Sequence, residues 1–406
     1  MTVTIQPGRA SGTVAAPPSK SMAHRLLICA GLSNGVSQIS GVDFNEDISA
    51  TIDCLRSLGA SCTVSGDTVT VQGTNMRTVK PKQVLCCRES GSTLRFFIPL
   101  ALLCNETVEF TGTEKLLSRP LGIYQQLCAY KGFPFEQSKT RLRLKGKLEA
   151  GSFHVPGDIS SQFITGLLFA LPLTEGDSVI RITPPVESRG YIDLTLQALH
   201  AFGIRAQWQD DYTLVIPGNQ HYTATDMAVE GDYSNAAFFA ALNALGGDIQ
   251  ITDLSPYSLQ GDKIYEQHFE RLCAGQPQID IADCPDLGPV LFAVAAAKHG
   301  AVFTGTRRLK IKESDRSAAM ARELAAFGTE VTVKENTVTV SAKEFHRPEA
   351  PLYGHNDHRI VMSLAVLLTL TGGAIEGAQA VKKSFPGFFE RLKELGIEVS
   401  IHETDN

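Results

Sequence analysis

Residues 55–73 read LRSLGASCTVSGDTVTVQG. The apolar residues before Gly59 suit the last turns of an amphipathic helix, the glycine suits a left-handed helix end, and the alternation after it suits half-buried strands. The phrase returns as LCAYKGFPFEQSKTRLRLKG (127–146), LHAFGIRAQWQDDYTLVIPG (199–218), LAAFGTEVTVKENTVTV (324–340) and LKELGIEVSIHETDN (392–406), with a degenerate copy around Gly275. Self-similarity of this kind marks a repeated supersecondary unit.

A second series runs about 40 residues ahead of the first, a spacing typical of repeat units. It consists of apolar helices with polar starts, beginning near Lys20, Gly91, Ser160, Ser234, Asp286 and Asp357. Each unit therefore reads as buried helix, strand, amphipathic helix and strand pair. The sixth unit runs out of chain one strand short, whereas the first residues, TVTIQPG (2–8), form a strand with no unit of their own. The N-terminal strand is expected to complete the last unit. Residues 19–230 then form one domain, and 231–406 with 1–18 form the other, joined by two chain crossings that permit a hinge. A single α/β domain with accidental internal similarity is the alternative.

Composition bounds the function. The 406 residues are 43% hydrophobic and 20% charged, with a formal charge of -6, which does not describe a nucleic-acid binder. The longest apolar run, Ile360–Leu370, is shorter than the roughly 20 residues of a membrane span. Met1–Pro7 alternates like a strand and lacks the regions of a signal sequence. The nine cysteines include no C-x-x-C pair, so zinc and redox motifs are absent. These features predict a cytoplasmic protein with reduced thiols, no membrane partner and no nucleic-acid partner.

The polar residues fall at equivalent points of the repeat. Lys20, Ser21 and Arg25 open the first buried helix, Gly91, Ser92 and Arg95 the second, and Ser160, Ser161 and Gln162 the third. Asp286 opens the fifth, and Asp357, His358 and Arg359 the sixth. Arg119, Ser188 with Tyr191, the run Lys312, Glu313, Asp315 and Arg316, and Lys383 precede amphipathic helices. A helix start offers unpaired N–H groups and the positive end of the macrodipole, so it suits anions. Arginine adds a fork matched to phosphate or carboxylate, and lysine a compact charge. Converging starts would make a cationic pocket for small, multiply anionic substrates. Taken singly, Ser160, Asp286 and Asp357 also read as plain N-caps. Lys20 and Arg25 read as surface charges, and Lys312 to Arg316 as an exposed helix pair.

Together, PPSKSMAHR (17–25), SGSTLR (90–95), SRPLG (118–122), SSQF (160–163), KESDR (312–316), NDHR (356–359) and KSFPGF (383–388) resemble the 5-enolpyruvylshikimate-3-phosphate synthase family of enolpyruvyl transferases. The resemblance implies two similar α/β domains, each of three βαβαββ units forming an inside-out α/β prism, with the active site in the interdomain cleft. It implies transfer of the enolpyruvyl group of phosphoenolpyruvate to the 5-hydroxyl of shikimate 3-phosphate, with release of phosphate. No metal or organic cofactor is expected, and the chain is expected to act as a monomer. By motif, Lys20, Ser21, Arg25, Ser160, Ser161, Gln162, Ser188, Asp286 and Lys312 resemble the shikimate 3-phosphate contacts. Lys20, Gly91, Arg119, Gln162, Arg316, Arg359 and Lys383 resemble the phosphoenolpyruvate contacts. Lys20, Asp286 and Glu313 resemble the acid–base residues. Ala23 and His24, Glu89 and Ser90, and Arg308 depart from the common family pattern. Two rival readings stand beside this one. One is a UDP-N-acetylglucosamine enolpyruvyl transferase, for which Cys128 is the nearest cysteine to the position of a reactive thiol. The other is a non-catalytic ligand-binding homologue.

Overall fold

The computed structural model describes residues 1–81 and 84–403; the last residues of the sixth repeat copy, 404–406, lie outside the described residues. The chain divides into two compact units, one of Pro18–Glu230 and one of Met1–Pro17 with the chain from Gly231 onward. At the crossings, Asp232 N–H donates to Pro17 O and Ser19 N–H to Glu230 O, both at 2.7 Å.

Twelve helices carry the repeat. Buried and amphipathic helices alternate through Pro18–Glu230 as α1 (Lys20–Leu32), α2 (Glu46–Ser57), α3 (Gly91–Ala101), α4 (Gly122–Lys131), α5 (Ser161–Ala170) and α6 (Arg189–Ala201). The other unit continues with α7 (Tyr233–Ala244), α8 (Tyr265–Ala274), α9 (Gly288–Ala297), α10 (Arg316–Ala325), α11 (His358–Thr371) and α12 (Phe388–Glu394). The odd-numbered helices are apolar nearly all round because each lies inside its own core. Leu26, Leu27, Phe96, Phe97, Phe163 and Phe169 fill one core. Phe238, Phe239, Phe292, Val361 and Leu364 fill the other. Each such side chain contributes about 1.5–3 kcal/mol on full burial.

Five four-stranded sheets share one plan. In each, one strand pairs in parallel with the strand that follows a buried helix, and two antiparallel strands complete the sheet. The parallel partner is the strand before that same helix in four sheets, whereas beside Val36–Ser40, after α1, it is Met227–Ala228 from the far end of the unit. Ser152–Pro156, Ser178–Thr183, Thr213–Ile216 and Gln207–Asp210 form such a sheet in that spatial order. The burial of alternate residues along these strands turns one face of each sheet onto the helices. In the sixth unit the hairpin partner of Val399–His402 is the N-terminal strand Thr2–Ile5, with Val3 opposite Ile401 and Ile375. A second borrowed strand, Ser11–Ala15, pairs in parallel with Asp248–Thr252.

The repeated glycine explains where a unit is complete. Gly59, Gly132, Gly203, Gly328 and Gly396 all have φ between 71° and 97°, and a hairpin or its equivalent follows each. A residue with a Cβ is strained there. Gly275 has φ 169°, extended backbone, and the chain after it runs straight into Gln278–Asp280, the first strand of the next sheet. The fourth unit therefore has a two-stranded sheet and no hairpin of its own.

Candidate functional site

In Pro18–Glu230 the polar starts of α1, α3 and α5 are built by capping. Ser19 Oγ accepts from Met22 N–H, Ser90 Oγ from Thr93 N–H, and Ser160 Oγ from Gln162 N–H. Lys20 and Ser21 sit in the first turn of α1, and Lys20 Nζ lies 3.0 Å from Asp47 Oδ2. Asp47 is in the first turn of α2, where an acid favours the helix dipole. Arg25, 3% exposed, is held by neutral acceptors. Its Nε donates to Thr195 Oγ1 at 2.9 Å, and its terminal nitrogens to Tyr191 O at 2.8 Å and Ser21 O at 2.6 Å. Burial lowers even its guanidinium to about 10. His24 lies 2.7 Å from Thr51 Oγ1, and burial drives its pKa down to about 3, so it is a neutral structural histidine.

Gly91, Arg119 and Gln162 meet. A Cβ on Gly91 would stand 2.7 Å from the Arg119 guanidinium and 3.8 Å from Gln162 Oε1. Gln162 Oε1 accepts from Arg95 at 2.6 Å while its Nε2 donates to Ser92 Oγ at 2.9 Å. Arg95 is thereby spent on orienting Gln162, and Arg119 Nε is buried without a protein acceptor. Ser161 is buried at the start of α5. Ser188 is buried at the start of α6 in the left-handed region, φ 59°.

The other unit is built around Arg316, 1% exposed at the start of α10. Its Nε donates to Asp357 Oδ2 at 2.9 Å, one terminal nitrogen to Asp286 Oδ1 at 2.8 Å and the other to Glu313 Oε2 at 2.7 Å. Lys312 Nζ lies 3.1 Å from Asp286 Oδ1, and Arg359 3.7 Å from Asp286 Oδ2. Burial alone would raise Asp286, but Lys312, Arg359 and Arg316 outweigh it and hold the carboxyl well below the usual range. Burial likewise opposes, and Arg316 reverses, the shift at Asp357, which ends low. Burial lowers Lys312 below the ordinary lysine value against the pull of Asp286. Asp357 also caps α11 through Arg359 N–H and accepts from Ser314 Oγ at 2.8 Å. Lys383 Nζ donates to Asn356 O at 2.9 Å.

Sequence reasoning placed Arg316 among the phosphoenolpyruvate contacts and expected converging helix starts to make a cationic pocket. Arg316 is committed to three carboxylates, and in this unit Lys312, Arg316 and Arg359 are balanced by Asp286, Glu313 and Asp357. Of the N-cap alternatives, Ser160 and Asp357 do cap helices, whereas Asp286 lies in the 3₁₀ turn Pro285–Leu287 and caps none. Asp47, Thr195 and Ser314 were missed. An acid in the first turn of α2 was the only sequence signal for Asp47, and Thr195 and Ser314 carried none. Asp262 was also missed; burial and the nearby Asp286 raise it to about 6. Among the described residues no cluster of metal-ligating side chains occurs, and no helix is long and apolar enough to cross a membrane. The nine cysteines are free thiols. Cys128 is buried in α4 with its pKa raised to about 11 by burial, the opposite of a reactive cysteine.

Residues 5–392 match the family model described as EPSP synthase (3-phosphoshikimate 1-carboxyvinyltransferase). The chain is 42% identical to the 3-phosphoshikimate 1-carboxyvinyltransferase of Clostridium kluyveri, over 98% of both chains. It is also 42% identical to that of Clostridium perfringens, over 97% of this chain and 98% of the relative. Its fold superposes on EPSP synthase from Acinetobacter baumannii with TM-score 0.78, 24% identity, and coverage of 98% of this chain and 100% of that one. An enolpyruvyl transferase from Streptomyces tendae shares the fold at TM-score 0.79 and 14% identity, with 98% of each chain covered. With the family model matched over residues 5–392 and 42% identity over nearly the full length of these relatives, the chain belongs to the EPSP synthase family.

Proposed function

We propose that the protein transfers the enolpyruvyl group of phosphoenolpyruvate to the 5-hydroxyl of shikimate 3-phosphate and releases phosphate. The observation that carries this reading is the set of family motif residues at equivalent helix starts, in a chain 42% identical over 98% of its length to an enzyme named for that reaction.

The chemistry has two stages. In addition, a proton goes to C3 of phosphoenolpyruvate and the 5-hydroxyl oxygen bonds to C2 as it gives up its own proton. In elimination, the C3 proton leaves, the C2–C3 double bond re-forms and phosphate departs with the C2–O electron pair. The groups needed are an acceptor for the hydroxyl, a proton carrier at C3 and cations at the leaving phosphate. Asp286, kept ionised by three cations, suits the hydroxyl: it orients and accepts rather than donates. Glu313, held at Oε2 by Arg316, suits the proton at C3. Lys20 suits the phosphate and assists both stages.

Ser21, Arg25, Ser160, Ser161, Gln162, Ser188, Asp286 and Lys312 are proposed to hold shikimate 3-phosphate. Gly91, Arg119, Gln162, Arg359 and Lys383 are proposed to hold phosphoenolpyruvate, with Arg316 acting mainly through Glu313 and Asp286. A coupled assay for phosphate release tests the reading. Release should require both substrates together, and no release at saturating concentrations of the pair would overturn it.

A further inference from the structure

The segment Tyr353–Arg359 delivers Asp357 and Arg359 to the Arg316 cluster in an unusual conformation. His355 and Asn356 are consecutive non-glycine residues with φ of 50° and 53°. An isolated chain does not favour two such residues in succession. Helix α10 grips the segment at two points. At its start, Arg316 binds Asp357. Two turns on, and therefore on the same side of the helix, Glu323 receives two hydrogen bonds. His355 Nε2 lies 2.7 Å from Glu323 Oε1, and Tyr353 N–H donates to Glu323 Oε2 at 2.9 Å. Glu323 is only 5% exposed. A carboxylate so buried is expensive unless its hydrogen bonds are met. The Tyr353 and His355 rings pack edge to face at 5.1 Å. Between the two grips, Asn356 O accepts from Lys383.

We infer that Glu323 and His355 form a positioning staple that fixes the left-handed turn and so sets where Arg359 and Lys383 present their charges. The inference rests on the assignment of those two cations to phosphoenolpyruvate. Neither Glu323 nor His355 is needed for the chemistry; they act through the turn. Loss of the staple loosens the turn on its α10 side, between Gly354, whose N–H still donates to Glu376 O at 2.8 Å, and Asp357, which remains held by Arg316. Arg359 and Lys383 then lose their preset geometry, and the cost falls on binding of the substrate they hold.

The test compares His355→Asn with His355→Gln in the full-length protein. Asparagine tolerates the left-handed backbone but is too short to reach Glu323, whereas glutamine reaches with its amide. His355→Asn should raise KM for phosphoenolpyruvate about tenfold, the scale of one lost hydrogen bond to a charged group. Both kcat and KM for shikimate 3-phosphate should stay within about twofold, and His355→Gln should recover most of the loss. Hydrogen exchange in the absence of substrate gives an independent readout: amides of residues 354–356 should exchange faster in His355→Asn while those of α10 do not change. Unchanged exchange in the turn overturns the staple itself, whether or not the protein releases phosphate. Faster exchange with an unchanged KM for phosphoenolpyruvate, or with both KM values raised equally, overturns its positioning role. A wild-type protein that releases no phosphate, yet shows the exchange effect, would overturn the proposed function and leave the staple in place.

Discussion

The polar helix starts of Pro18–Glu230 and those of the other unit occupy equivalent places in the repeat but solve different electrostatic problems. In the first, Arg25 and Arg95 donate to carbonyls, a hydroxyl and an amide, and Lys20 pairs with Asp47. The arginines there are oriented mainly by neutral acceptors. In the second, Arg316 is surrounded by Asp286, Glu313 and Asp357, with Lys312 and Arg359 adjoining Asp286. There Arg316 and the three carboxylates orient one another. A helix start can thus orient its cations through neutral acceptors, which suits the proposed anion contacts, or through carboxylates, which suits the proposed acid–base groups. Addition and elimination at phosphorylated substrates need both kinds.

The sharpest way to break this contrast is Lys20→Met. If Lys20 serves ligand rather than fold, turnover should drop by roughly 10³-fold or more, combining a lost charge-assisted contact with a lost role in proton and phosphate movement. Its cost in stability should come mainly from removing the counter-charge 3.0 Å from Asp47. Adding Asp47→Asn should then restore the melting temperature but not the rate; a double variant that recovers turnover would count against the assignment.

Arg316→Met addresses the other unit. It leaves Asp357, which is fully buried, without its principal counter-charge. Removing one partner of a buried pair typically costs about 3–5 kcal/mol. A urea titration that shows a loss below about 1 kcal/mol would mean that the carboxylates are solvated and the balance argued above does not hold. No exposed ion pair, such as Arg391–Glu394, should approach that cost.

Glu313→Gln refines the division within the second cluster. Glutamine can still accept from Arg316, so affinity for shikimate 3-phosphate, read by calorimetry, should change by a small factor. Turnover should fall about 10²-fold, because the loss is of proton transfer in the transition state. Equal losses in affinity and rate would make Glu313 a structural partner of Arg316 instead.

The smallest effect concerns pH. His24 is buried neutral with a pKa of about 3, below its ordinary 6.5. Between those values the unfolded chain binds a proton that the folded one refuses, so stability falls as pH falls through this window and is fully recovered above about 6.5. Lowering pH from 7 to 5 should cost about 2 kcal/mol from this residue. His24→Asn, which keeps an acceptor near Thr51, should flatten the profile by that amount. Asp286 and Asp357 act lower: their folded values are depressed, so the stability they confer is present above the ordinary aspartate value near 3.9 and disappears below it.

The sequence by itself determined the repeat, the burial of alternate helices, the turn glycines and the polar helix starts. Each is a local property: a period of 3.6 or 2, a glycine where φ is positive, a hydroxyl or carboxylate at a cap. The degenerate copy around Gly275 was expected to carry a strand pair like the others, and the structure gives that unit none. Only the tertiary structure decided which charge meets which. Thr195 is 170 positions from Arg25, Asp47 is 27 from Lys20 and Asp357 is 41 from Arg316. Nothing in the periodicity of either partner specifies those separations. Coulomb energy and desolvation depend on distance and burial in space, so similar polar helix starts in the sequence met mainly neutral acceptors in one unit and carboxylates in the other.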